Sequence, residues 1–133
     1  MDRFPDWKKA LILDTNMLLA PAQFNVDVYA QSRELLPGKE LCTVDKCLEE
    51  LGKISKEKGM AKKAKTALEA MEKNRLRVAR IGSKKDTDSV LIELAREGAV
   101  IATNDSELRK KLQKQHSSHV FLKQKKMLSY SGS

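Results

Sequence analysis

Four carboxylates in this sequence stand where chemistry could gather: Asp14, Glu50, Asp88 and Asp105. Asp14 follows Leu11-Ile12-Leu13, an aliphatic run that reads as a strand buried on both faces and stops abruptly at Asp14-Thr15-Asn16. Ala99-Val100-Ile101-Ala102 repeats this grammar and stops at Thr103-Asn104-Asp105. Carboxylates gathered at one point repel, and such a cluster is stable chiefly around a hard divalent cation. Oxygen-only ligation points to Mg2+ or Mn2+, with Asp14 and Asp105 as foremost ligands, Asp88 as a further one and Glu50 completing the site. An ion held this way polarises a phosphate and lowers the pKa of an attacking water, so the chemistry is phosphodiester hydrolysis.

Other site chemistries find little support. The phosphate-cradling patterns G-x-x-x-x-G-K-[ST] and G-x-G-x-x-G are both absent. Cys42 and Cys47, with His116 and His119 far downstream, depart from zinc-ligand spacing, and the cysteines read as reduced, buried small hydrophobes. A strand-end Asp also serves as phosphoryl acceptor in phosphotransfer domains, but those of the dehalogenase type want Asp-x-Asp where this chain has Asp14-Thr15-Asn16.

Strands alternating with helices are needed to bring the acids together. The chain offers a strand over 11–13, a turn or short helix at Met17–Pro21, a helix from Asp27 to Leu36 and a strand over 41–44. A helix over 45–57 follows, then a second after Gly59, and a strand over Leu76–Ile81. Next come a helix from Asp86 to Glu97 with Gly98 as left-handed terminator, a strand over 99–102, a helix over 106–115 and a strand over 120–122. The tail, Tyr130 to Ser133, is expected to be disordered. This order predicts a parallel sheet with helices on both faces, whose strand ends form the binding crevice. Two acids are ambiguous by adjacency. On the helical wheel Glu50 lies at the edge of the apolar stripe, about 100° from its centre, while Glu49 lies almost opposite that centre. Asp88 falls on the inward side of its helix and Asp86 suits a helix cap, and both choices stay open at this point.

The 133 residues suit one domain, with its core at about 8–123 and short flexible tails. The 26 Lys and Arg against 18 Asp and Glu give a net charge of +8, which draws polyanions, nucleic acid foremost, though charge alone also serves solubility. Lys84, Lys85, Arg109 and Lys110 lie beside the acidic segments and are the expected nucleic-acid contacts. No apolar run is long enough to cross a bilayer, and the first residues lack a signal peptide's apolar stretch, so the expected location is the cytoplasm, away from membranes.

LDTN at 13–16, LEEL at 48–51, DTDSVLIELA at 86–95 and ATNDSEL at 102–108 resemble the four acidic motifs of the PIN-domain ribonucleases. The resemblance spans about residues 11–122, and within it the stretch from Leu13 to Leu36 looks most like archaeal stand-alone PIN proteins, related to toxin-type nucleases and to the eukaryotic PIN nuclease of small-subunit ribosomal RNA maturation. It implies an α/β/α sandwich around a parallel sheet of about five strands. It makes Asp14, Glu50, Asp88 and Asp105 the acidic quartet, supported by Asn16, Thr103 and Asn104. It further implies Mg2+ or Mn2+, cleavage of single-stranded or structured RNA leaving a 5′-phosphate, homodimers, and an antitoxin or ribosome-assembly partner. An RNA-binding scaffold of the same fold that cuts nothing is the alternative.

Overall fold

The computed structural model describes residues 4–132; residues 1–3 and 133 of the expected single domain lie outside it. Five parallel strands and one antiparallel strand form a single sheet in the order β3-β2-β1-β4-β5-β6. The strands are β1 (Ala10–Leu13), β2 (Glu40–Val44), β3 (Arg77–Ala79), β4 (Val100–Ala102), β5 (His119–Lys123) and β6 (Met127–Ser131). Every residue of β1 is buried, because it has a strand on each side and helices over each face.

The helices are α1 (Thr15–Phe24), α2 (Val28–Leu35), α3 (Asp45–Ile54), α4 (Ala61–Lys73), α5 (Thr87–Arg96) and α6 (Ser106–Lys114). From β1 the chain steps outward through β2 to β3, then returns across the sheet to β4 and β5. Right-handed crossovers therefore lay α1–α4 on one face and α5–α6 on the other, which is the α/β/α sandwich. Helix α4 packs against α1, and its buried positions Ala64, Ala67 and Met71 are mostly small, which lets the two helices close on each other. None of the helices among the described residues is long and apolar enough to cross a membrane.

Three expectations change. The sheet has six strands, not about five, because the polar tail folds back as β6 against β5, pairing Leu122 with Leu128 and Val120 with Tyr130. Gln124 and Lys125 make this turn in the left-handed region (φ 54° and 59°) without glycine or asparagine, and only Leu128 of β6 is buried, so neither turn chemistry nor alternation announced it. Ser133, the last residue of the tail expected to be disordered, lies outside the described residues.

Second, α1 is a full helix that begins at Thr15 and carries Pro21 inside it. Its buried stripe outweighs the lost backbone bond, and it ends at Asn25 in the left-handed conformation (φ 54°). Third, β3 is shorter than Leu76–Ile81. The Ile81 and Gly82 amides leave the ladder to donate to Asp45 Oδ2, at 3.1 and 3.0 Å. Gly98 does end α5 with φ +108°, and a Cβ there would stand 2.9 Å from Lys8 Cγ.

Candidate active site

Register sets the first two acids side by side. Leu13 pairs with Ala102, so Asp14 and Thr103 leave the sheet together, and the Asp14 N–H donates to Ala102 O at 3.0 Å. The chain turns one way after β1 and the other way after β4, and at such a switch point a crevice opens beyond the strand ends.

Asp14 is also the N-cap of α1, with its Oδ1 accepting from the Met17 N–H at 2.8 Å. It is only 5% exposed. Burial, reinforced by the charges of Asp105 and Glu50, raises its pKa to about 7 despite hydrogen bonds from Thr103 and Met17. The neighbouring Cys47 thiol is pushed to about 11 by burial and by Asp14, and Cys42 to about 12 by burial; both cysteines are free and buried.

Asp105 caps α6, its Oδ1 accepting from the Glu107 N–H at 2.9 Å. Its own N–H donates to Thr103 Oγ1 at 3.0 Å, so the fully buried Thr103 hydroxyl lies between the two strand-end acids. Asn104 turns the other way, its Oδ1 accepting from the Leu122 N–H at 2.9 Å, and pins the β4–α6 loop to β5. Asn16 is exposed on the first turn of α1.

The other two acids come from opposite helical layers. Glu50 of α3 is half-buried, and its Oε2 accepts from Thr87 Oγ1, at the start of α5, at 2.6 Å. Asp88, one residue further along α5, is half-buried, and its pKa is raised by burial and by Asp105, against the lowering effect of Lys111. Their adjacent acids differ. Glu49 points to solvent with its side chain 63% exposed and pairs with Lys46 at 3.8 Å. Asp86 caps α5 at the surface, where Ser89 holds its carboxyl below the ordinary value. A cavity of about 210 Å3 lined by Lys46, Glu49, Glu50, Lys53, Asp86 and Thr87 opens beside Glu50.

Asp14 thus lies within electrostatic reach of Glu50 and Asp105, and Asp88 within reach of the same two acids. The donor set, carboxylate oxygens without thiol or imidazole, suits a hard divalent cation, and a cation would relieve the pressure that raises Asp14 and Asp88. Among the described residues, no three Asp, Glu, His or Cys side chains already stand as an ion cage.

The cations expected to touch nucleic acid are partly engaged. Lys85 pairs with Glu93, Lys110 lies 3.5 Å from Glu107, and the Arg109 guanidinium stacks 3.7 Å over the Phe121 ring, while Lys84 is exposed. Exposed pairs of this kind are worth about 0–1 kcal/mol and yield readily to a phosphate. Two residues that sequence reasoning left out support the acids: Thr87, which binds Glu50, and Asp45. Burial alone would raise the Asp45 carboxyl, but the Gly82, Ile81 and Lys46 amides hold it below its usual value, and it anchors the loop leading to Asp86. Its only sequence signal was the strand-to-helix junction at Val44-Asp45.

No curated protein matches the chain in sequence. Among solved structures it is similar to the PIN domain endonuclease Utp24, with a TM-score of 0.76 and 19% identity over 93% of this chain and 92% of that one. A family model described as a PIN-like domain matches residues 11–125. The crossovers, the strand-end acids and this match over most of the sequence agree: the chain belongs to the PIN-like domain family.

Proposed function

We propose that this protein is a metal-dependent ribonuclease that hydrolyses RNA phosphodiesters at the crevice between β1 and β4. The observation that carries this is the convergence of Asp14, Asp105, Glu50 and Asp88 from two strand ends and two helical layers, with Asp14 held to a pKa of about 7. The similarity to an endonuclease of the same fold supports it.

Asp14, Asp105 and Asp88 would hold Mg2+ or Mn2+, and Glu50 would complete the site. When bound, the ion polarises the scissile phosphate and lowers the pKa of the attacking water. The chain's own residues do the positioning. The Met17 amide and Thr103 hydroxyl fix the Asp14 carboxyl, the Glu107 amide fixes Asp105, and the Thr87 hydroxyl fixes Glu50. Surface lysines and Arg109 offset repulsion between the acids and the RNA backbone.

Asp14→Asn tests the proposal, because asparagine is as good an N-cap and leaves the fold in place. Wild-type chain should cleave a mixed RNA pool with Mn2+ and the variant should not; undiminished cleavage by the variant sinks the assignment. Cleavage sites mapped on total RNA separate a toxin-type activity, with scattered messenger targets and an antitoxin partner, from ribosomal RNA processing at one precursor site. A second reading, an RNA-binding scaffold that cuts nothing, draws on the net charge of +8, which attracts RNA with or without turnover. It predicts salt-sensitive RNA binding without metal-dependent products.

A further inference from the structure

A groove of about 400 Å3 runs between α5 and α6, lined by Ile92, Arg96, Lys111, Lys114 and Gln115. Its ionisable groups are all cationic. The same two helices carry acids: Glu93 pairs with Lys85 and Glu107 with Lys110, while Asp88 stands in the first turn of α5, in the candidate site. Lys111 and Lys114 are exposed, one helical turn apart, and among the described residues neither is ion-paired. Like charges so placed repel, and an anion between them relieves that repulsion.

The groove is also braced. The Gln115 side-chain amide donates to Ile92 O at 3.2 Å and to Ser117 Oγ at 2.8 Å, while its carbonyl accepts from Arg96 Nε at 3.0 Å. Among the described residues, the outer guanidinium nitrogens of Arg96 make no hydrogen bond or ion pair. At its upper end the groove approaches the candidate site, since Ile92 of its lining follows Asp88 by one turn of α5. From Asp88 to Arg96 the helix rise is about 12 Å, room for more than one backbone phosphate.

We infer that the α5–α6 groove binds the phosphate backbone of single-stranded RNA, with Lys111, Lys114 and Arg96 as its contacts and Ile92 as an apolar floor, and leads the strand to the acidic cluster. The inference rests on the ribonuclease reading for the direction of the strand. Its binding claim can be measured separately.

The test is fluorescence anisotropy of a labelled oligouridylate with the full chain in EDTA, so that no cleavage intervenes. Lys111→Gln/Lys114→Gln is compared with Lys62→Gln/Lys63→Gln, which removes the same charge from exposed positions on α4, in the opposite helical layer. Loss of two phosphate contacts should flatten the salt dependence by about 1.4 in log–log slope and weaken binding roughly 25-fold at about 0.1 M salt. The α4 variant should bind within about twofold of wild type, and both should melt as wild type does. Equal losses in the two variants, no loss in the groove variant, or no salt-sensitive RNA binding by wild type would each overturn the inference. Failure of the ribonuclease reading looks different: groove-dependent binding persists, but Mn2+ yields no products.

Discussion

The Thr87 hydroxyl donates to Glu50 Oε2 across the top of the sheet at 2.6 Å, joining α5 in one helical layer to α3 in the other. This contact fixes Glu50, whose charge reaches Asp14 and Asp88. Thr87→Val keeps the shape and removes the donor. Cleavage should fall about tenfold, with a higher Mn2+ requirement, at a stability cost of about 1 kcal/mol. Thr87→Ser should restore both the rate and the Mn2+ dependence. A valine variant with the wild-type Mn2+ requirement would show that the bond only staples the layers.

Asp14 should make the metal-free protein less stable as pH rises. Its folded pKa of about 7 lies above its unfolded value, so between the two the folded state binds more protons and stability declines with pH, levelling off above about 7. The penalty is on the order of a few kcal/mol. Thermal melts in EDTA from about pH 4 to about pH 8, which brackets the two pKa values, should slope downward for wild type and more weakly for Asp14→Asn. The variant should melt higher than wild type at the upper end of that range.

Adding Mn2+ or Mg2+ at the upper end of that range should reverse the effect. An ion at about 100 times its dissociation constant stabilises the folded state by about 2.7 kcal/mol. The rise in melting temperature should appear in wild type and vanish in Asp14→Asn and Asp105→Asn. A rise of equal size in both variants would place the ion elsewhere.

Gln31 closes the open edge of the sheet. Its side-chain amide donates to Lys126 O at 3.1 Å and its carbonyl accepts from the Leu128 N–H at 2.7 Å, so the carboxamide occupies the place of a neighbouring strand. Gln31→Ala should cost about 1–2 kcal/mol and bare an edge that also carries exposed Met127 and Tyr130. Size-exclusion chromatography should show concentration-dependent self-association greater than that of wild type. An unchanged elution profile at high concentration would remove Gln31 as the edge guard.

Much of this architecture is legible in local patterns. Leu11-Ile12-Leu13 and Val100-Ile101-Ala102 are apolar enough to demand burial on both faces, and Gly98 marks the end of α5 because its backbone takes a positive φ. Local rules failed where a distant partner decided. Pro21 argued against a long α1 until α4 packed on it, and β6 formed through a turn of Gln124 and Lys125 that no turn preference announces. Thr87 gave no sign of its place beside the acids, since Glu50 reaches it only in the folded chain.

By itself the sequence determined the alternation of strands and helices, and that Asp14 and Asp105 each close a buried strand, because burial and polar termination are properties of a few adjacent residues. The tertiary structure alone decided that Leu13 lies opposite Ala102, that Glu50 rather than Glu49 turns inward, and that burial beside Asp105 and Glu50 lifts Asp14 to about 7. Those outcomes depend on strand register and on through-space distances between residues far apart in the chain, quantities that local spacing does not contain.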